Sequence, residues 1–317
     1  MANFLFSRLL QSAALLFIVS LIGFGIVHLA PGGPLAQFAL TPGISQADLA
    51  RMAHEMGLDR ALPIQYWEWL TRILTGDWGR SYRDGRPVLD VISGRLPATL
   101  ELILTGSLIA IIVGVWIGVL GAVKRYSVFD MLATVGAMVA LSVPTFWFGL
   151  IVIYVFSVNL GWLPAGNRMT VGGDGGLLDF LHHLIAPALV LAFVEVAIWS
   201  RYMRSSMLDV ISQDYIRTAR AKGVPERSIL WRHAMRNAML PMIALAGVEL
   251  PALLSGALVT ETVFTWPGMG RLLLDSLGYR DYPVVMGILM ISSILALLGN
   301  LFADIAAAVV DPRIRLT

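Results

Sequence analysis

The chain has no cysteine, which excludes disulfides, thiolate nucleophiles and cysteine metal sites together. Charge is sparse too. Asp, Glu, Lys and Arg make up 14% of the 317 residues, against about 25% in a typical soluble domain. The formal net charge is only +2, so bulk charge lends nothing to nucleic-acid binding. There is no G-x-x-x-x-G-K-S/T phosphate loop and no H-E-x-x-H pattern. His182 and His183 are adjacent and point to different sides of a helix. They cannot chelate as an i, i+4 pair and read as helix-end or interface residues. No Ser/His, paired-Asp or metal constellation at a common depth supports an intramembrane enzyme.

Apolar residues are abundant. They form 57% of the chain, and mean hydropathy is +0.75, the signature of a polytopic membrane protein. A spanning helix needs about 20 mainly apolar residues. Six segments meet or approach that length: 9–29, 102–123, 131–158, 184–200, 239–263 and 284–310. The first is too long for a cleaved signal core and reads as an uncleaved span. The third is longer than a crossing requires, so it is tilted, kinked or ends early. The fourth is short, holds Glu195 and extends towards Met203. Pro144 and Pro187 fall inside predicted spans and imply kinks. Gly114-x-x-x-Gly118, followed by Gly121, lets helix backbones approach closely. Packing within the chain and a subunit interface both fit that pattern.

Lys and Arg in the short loops set the orientation. With a cytoplasmic N-terminus, 13 of them fall inside (Arg8, Lys124, Arg125, eight in 201–238, Arg313 and Arg315). The short outer loops then hold only Arg168, Arg271 and Arg280. Both termini are expected in the cytoplasm. Residues 1–30 form the N-terminus and first span, and 31–97 an external segment. Residues 98–317 form the core, with a cytoplasmic loop at 201–238. The external segment opens with Pro31-Gly32-Gly33-Pro34, a helix stop, and shows helical patterns near 46–56 and 64–74. Its seven Arg are balanced by seven acids, so it reads as a folded, neutral cap. The second external loop, 161–179, is Gly-rich and carries no catalytic pattern.

The cytoplasmic loop reads as two helices with a break. Leu208, Ile211, Tyr215 and Ala219 share one face of the first, and Gly223 is placed to end it in a left-handed C-cap. Pro225 fits the first turn of the second, 226–240, and Pro241 opens the fifth span. The small residues Thr218, Ala219 and Ala221 would let a partner groove close around this element. A coupling element docked on a cytoplasmic partner and an interfacial pair lying on anionic lipid both fit the pattern. A DNA-binding helix-turn-helix does not, because the loop is tethered to membrane at both ends.

Asp214-Tyr215-Ile216-Arg217-Thr218-Ala219-Arg220-Ala221-Lys222-Gly223, followed by Asn237-Ala238-Met239-Leu240-Pro241, resembles the cytoplasmic EAA loop of ABC-importer permeases. The resemblance is strongest to the first permease subunit of the dipeptide/oligopeptide branch, and it extends over essentially the whole chain. It includes 58–66, 76–81, Arg95-Leu96-Pro97-Ala98-Thr99-Leu100-Glu101, 261–271 and 280–283. Arg217, Thr218 and Ala219 stand where most importers have Glu, Ala, Ala, and the spacing from Gly223 to Leu240-Pro241 is longer than in many. Both departures are similar to the peptide branch.

The resemblance implies an all-α, type I ABC-importer permease with six transmembrane helices in a bacterial inner membrane. It would bind no cofactor itself. A second homologous permease subunit, two ATPases carrying ATP and Mg, and an extracytoplasmic substrate-binding protein would be its partners, and membrane lipid its surroundings. Tyr215, Arg217, Thr218, Ala219, Gly223, Leu240 and Pro241 are the expected ATPase-coupling residues. Charged groups inside spans are functional candidates because lipid burial is costly, so Glu195, Glu249 and Glu261, with Ser255, are the candidate pathway residues. Asp304 joins Glu195, Glu249 and Glu261 as a charged group in a predicted span. Trp266, Pro267, Gly268 and Gly270 are a candidate external gate or binding-protein contact. Dipeptides, longer peptides, glutathione, opine-like conjugates and nickel chelates are all substrate classes of such permeases. A channel or sensor without an ATPase is the alternative from another class.

Overall fold

A computed structural model describes residues 2–29, 35, 38, 43–173 and 175–310, with the side chains of 2–5, 248, 250–256, 303 and 306–310 left aside. Arg313 and Arg315, counted in the orientation above, lie outside the described residues, as do the Pro31–Pro34 stop and the side chain of Ser255. In chain order the helices are α1 (Ala2–Leu29), α2 (Gln46–Glu55), α3 (Leu62–Leu74), α4 (Val88–Ser93), α5 (Leu96–Val123) and α6 (Val128–Ser142). They continue as α7 (Thr145–Val152, running into a π-helical stretch, Ile153–Asn159), α8 (Leu177–Ile211) and α9 (Asp214–Ala221). The segment α10 is made of Glu226–Ser228, a π-helical Ile229–Ala234 and Met235–Ala238, and is followed by α11 (Leu240–Val263), α12 (Met269–Gly278) and α13 (Tyr282–Val310). Among the described residues the sole β feature is a bridge between Arg80 and Pro87.

Four helical stretches are long and apolar enough to cross a bilayer: Phe6–Leu29, Val88–Val123 (α4 and α5 taken together), Leu177–Ile211 and Tyr282–Phe302. The third expected span, 131–158, is not one straight helix. Val128–Ser142 and Thr145–Asn159 form a pair bent by 104°. Pro144 has no N–H to give and forces Val143 into extended backbone (ψ 123°), so the helix stops before it. Pro187, by contrast, lies inside α8 without ending it. α8 outruns the expected 184–200 at both ends; its 35 residues make it about 52 Å long. α11 occupies the fifth expected segment, and its 24 residues give about 36 Å.

The chain forms two compact units. The first comprises 1–97 and 271–297; the second comprises 98–270 and 298–317. In the first, Ser45 caps α2 in a reciprocal capping box with Asp48, and a proline sits in the first turn of α3. The core of this unit gathers Val27, Tyr282 and Met286, with Phe24, Trp69 and Tyr82 against them. The buried Ser20 and Tyr66 hydroxyls share a hydrogen bond of 2.7 Å. Asp281 is buried, accepts from Ser81 Oγ and takes the Tyr82 N–H at 2.9 Å.

The second unit is built on α8. A Cβ on Gly114 would lie 2.5 Å from Trp199 Cβ, and one on Gly118 would lie 2.6 Å from the Ser200 carbonyl and 2.7 Å from Met203 Cβ. The glycine stripe of α5 is therefore a contact surface for α8 within the chain. A large apolar cluster continues through Met203, Met207, Ile216, Ile229, Ala234, Ala238 and Met242, linking α8 to the 201–238 loop and the start of α11.

Candidate functional site

The loop helices depart from the expected pair in two respects. The face Leu208–Ile211–Tyr215–Ala219 is not continuous, because α8 ends at Ile211 and α9 begins at Asp214 after a break at Ser212 and Gln213. The buried anchor of α9 is consequently Ile216, fully buried against the cluster around Ile229, Ala234 and Ala238. Tyr215 is exposed, and its hydroxyl accepts a hydrogen bond from Asn237 Nδ2 at 2.8 Å. Arg217 and Thr218 are exposed beside it, Ala219 is half-buried, Leu240 is half-buried and Pro241 is exposed.

Gly223 closes α9 as expected. Its φ is +75°; Gly223 N donates to Arg220 O and Val224 N to Ala219 O, the two bonds of a Schellman ending. Nothing lies within 4 Å of a Cβ placed there, so backbone conformation, and not space, requires glycine. Across this turn Arg220 grips Glu226 with bonds of 2.7 and 3.2 Å. The guanidinium holds the Glu226 carboxyl below its ordinary range. The second helix, expected over 226–240, instead contains the π-helical Ile229–Ala234 and is interrupted at Met239.

A second ion pair lies outside the expected residue set. Arg204 of α8 binds Asp130 at the start of α6 through two hydrogen bonds, 2.6 and 2.8 Å. Asp130 Oδ2 also takes the Tyr126 N–H at 3.0 Å, and Tyr126 is itself left-handed, with φ 63°. The sequence signal was present in Ser127-x-x-Asp130, a helix N-terminus pattern, but its partner 74 residues away was not readable from it.

Glu261 is fully buried, and Thr99 Oγ1 donates to its carboxylate at 2.6 Å. The Met269 N–H donates to the same Thr99 oxygen at 2.7 Å, and the Trp266 indole donates to Ala98 O at 2.7 Å. Trp266 and Phe264 are fully buried. A Cβ at Gly268 would collide with the Glu261 carboxylate, and one at Gly270 would lie 2.5 Å from Leu258 Cα. Two stretches noted separately in the sequence, 95–101 and 261–271, are thus one hydrogen-bonded corner. Beside it Arg168 forms a bidentate pair with Glu101 at 2.6 and 2.9 Å. Pro267 adjoins this corner.

Glu195 sits mid-way along α8, 8% exposed, with one carboxylate oxygen lacking a hydrogen-bond partner among the described residues. Glu249 on α11 is half-buried and near enough for the two charges to interact. Asp304 is half-buried on α13. His183 Nδ1 bonds the Asp179 carbonyl at 2.9 Å and His182 Nε2 bonds the Trp162 carbonyl at 2.7 Å. No group of three or more His, Asp or Glu among the described residues is arranged to hold a metal ion.

Comparison with known proteins gives a consistent picture. Residues 110–316 match the family described as binding-protein-dependent transport system inner membrane component, and 1–103 match the N-terminal region of such membrane components. The chain is 45% identical, over 99% of both chains, to the oligopeptide transport system permease protein AppB of Bacillus subtilis. It is 40% identical, over 99% of both, to the glutathione transport system permease protein GsiC of Salmonella typhimurium. Against the dipeptide transport system permease protein DppB of Escherichia coli it is 39% identical over 94% of both. The fold matches an inward-facing MetNI methionine ABC transporter with a TM-score of 0.57 at 17% identity, over 70% of this chain and 97% of that one. The family match and these relatives make the chain a non-catalytic ABC-importer permease subunit of the inner membrane, one that works with separate ATPase and binding-protein components, on a multi-span helical fold. The chain belongs to the binding-protein-dependent transport system inner membrane component family, in its dipeptide/oligopeptide branch.

Proposed function

We propose that this permease moves short peptides or closely similar solutes inward, by alternating access, as half of a heterodimer with a second homologous permease. Two ATPases carrying ATP and Mg sit on its cytoplasmic face, and an extracytoplasmic binding protein delivers the substrate. Both termini lie in the cytoplasm, and residues 31–97 form the external segment. The observation that carries this reading is the state of α9. Buried Ile216 fixes it to the body of the protein, while Tyr215, Arg217 and Thr218 face outward at a Gly223 turn. A helix held that way can pass a partner's displacement into α8 and α11 as a rigid-body shift.

Glu195 and Glu249 are the pathway carboxylates in this reading. An incompletely bonded carboxylate in a membrane helix is costly unless it meets a cation, and a peptide carries one at its amino terminus. Glu261 leaves the pathway set, because its bonds to the 95–101 stretch suit a fixed corner. Trp266, Pro267, Gly268 and Gly270 then form the rigid external edge of α11, against which a binding protein docks.

The test is reconstitution of the tagged chain with the partners that co-purify with it, followed by ATP-driven uptake of labelled di- and tripeptides into proteoliposomes. Glu249→Gln is expected to lower uptake while stimulated ATP hydrolysis persists, whereas Glu261→Gln lowers the yield of folded complex. Isolation of the chain without ATPases, under conditions that keep a known importer intact, overturns the reading.

A further inference from the structure

The first unit contains a cavity of about 610 Å³ that the transport machinery above does not use. Its floor is aromatic and apolar: Phe24, Trp69, Trp78, Tyr82, Tyr282 and Met286. The rings are mutually braced, with Phe24 6.0 Å from Trp69 and 3.9 Å from the stacked His28 ring. The His28 ring nitrogens lie 2.9 Å from Phe24 O and 3.0 Å from Gln65 Oε1, and the one that carries the proton donates. The floor is therefore preorganised.

The rim is charged. Arg72 and Glu55 both border the cavity mouth. Both are exposed, and neither has an ion-pair partner among the described residues. Other charges nearby are engaged: Glu68 with Arg60, Asp77 with the Gly79 N–H, and Arg80 with the Gly85 carbonyl. The mouth thus offers one uncommitted cation and one uncommitted anion above an aromatic floor. A purely apolar ligand would make no use of that pair, and a simple anion would face Glu55, Glu68 and Asp77 around a single free guanidinium.

We infer that this cavity is a binding site for a short zwitterionic peptide with apolar side chains, its carboxylate on Arg72, its ammonium on Glu55 and its side chains on the ring floor. The volume falls within the roughly 300–1,000 Å³ of small-ligand pockets, which combine an apolar lining with a few placed polar groups. Arg72 suits bidentate carboxylate recognition, and the ring faces add attraction for the ammonium. The inference rests on the peptide-import reading and adds a waiting position on the extramembrane side, separate from Glu195 and Glu249.

The experiment uses the whole permease–ATPase complex in nanodiscs, without binding protein, and measures equilibrium binding of tritiated trileucine. Saturable binding is expected. Arg72→Ala and Trp69→Ala should each weaken it by about tenfold or more, equivalent to about 1.4 kcal/mol, with partial recovery in Arg72→Lys. Trileucine blocked at both termini should compete about tenfold less well. Arg72 is exposed, so its variants retain the fold, and a melting temperature equal to the parent's checks this. Absence of saturable binding, or affinity indifferent to Arg72, Trp69 and terminal blocking, overturns the inference. So does native mass spectrometry showing a phospholipid lost on Trp69→Ala and not displaced by trileucine. ATP-driven uptake by the same complex with binding protein separates the two claims: uptake without site binding refutes this site alone, and no uptake of any peptide refutes the import reading.

Discussion

Arg204 holds Asp130 by two nearly parallel hydrogen bonds, Nε to Oδ1 at 2.6 Å and Nη2 to Oδ2 at 2.8 Å. The pair joins α8 to the start of α6 less than two turns before α8 gives way to α9. The Asp130 side chain is only 4% exposed, so removing Arg204 strands a buried carboxylate. Arg204→Ala is expected to cost about 3 kcal/mol, the lower end for a broken buried pair because Arg204 keeps some solvent contact. Arg204→Lys should recover only part, since an ammonium cannot reproduce the fork. Thermal melting of the purified complex measures the loss. The ratio of peptide transported to ATP hydrolysed shows whether the pair also transmits motion, and a variant as stable as the parent would sink the structural assignment.

Two glycines on neighbouring helices should respond in opposite ways. Gly118→Ala pushes a methyl to within 2.6 Å of the Ser200 carbonyl and 2.7 Å of Met203 Cβ. Helix backbone cannot yield cheaply there, and overpacking of this kind costs about 1–3 kcal/mol. Gly136→Ala on α6 meets nothing within 4 Å and should be neutral or gain up to about 1 kcal/mol from helix propensity. Melting temperatures of the two variants, side by side, check the contrast.

At Gly223 the space is open and only the φ of +75° excludes other residues. Gly223→Val is therefore expected to insert normally yet strain the ending of α9 by about 1–2 kcal/mol. It should lower uptake relative to ATP hydrolysis. Gly223→Asn, which tolerates the left-handed region, should transport nearly as the parent does. Equal uptake by the valine and asparagine variants at equal expression would remove the coupling role of this turn.

Tyr82 gives the protein a titration in alkali. Burial, reinforced by the Asp281 charge, pushes its hydroxyl up to about 12 from an ordinary value of 10. A folded pKa raised above the unfolded one means the folded state keeps its proton longer. The associated stability is whole below pH ~10 and is lost as pH rises from ~10 to ~12. Ultraviolet titration of the parent minus Tyr82→Phe should show one tyrosine ionising near the upper limit. A difference curve centred near pH ~10 would contradict the desolvation of this half-buried hydroxyl.

Much of the fold was legible because membrane burial imposes long apolar runs, and four of these appear as single helices in the expected places. The ending at Gly223 was legible because a left-handed cap needs glycine. Tyr215 was misplaced as a face residue because the helical period was carried through Ser212 and Gln213, where α8 actually ends. That break shifts the buried position by one residue, to Ile216. The bend at Pro144 was anticipated as a kink, but its 104° size follows from where α7 finds its packing partners, around Val190 and Phe264.

By itself the sequence determined the membrane setting, the apolar segments, the glycine-lined face of α5 and the position of the 201–238 loop. Each of these follows from local composition or short periodicity. The tertiary structure alone decided that Asp130 meets Arg204, that Thr99 meets Glu261, that the free charges of Arg72 and Glu55 flank one aromatic cavity, and that Glu195 lies near Glu249. Pairings between residues tens to hundreds of positions apart depend on how helices cross, and no local pattern encodes a crossing.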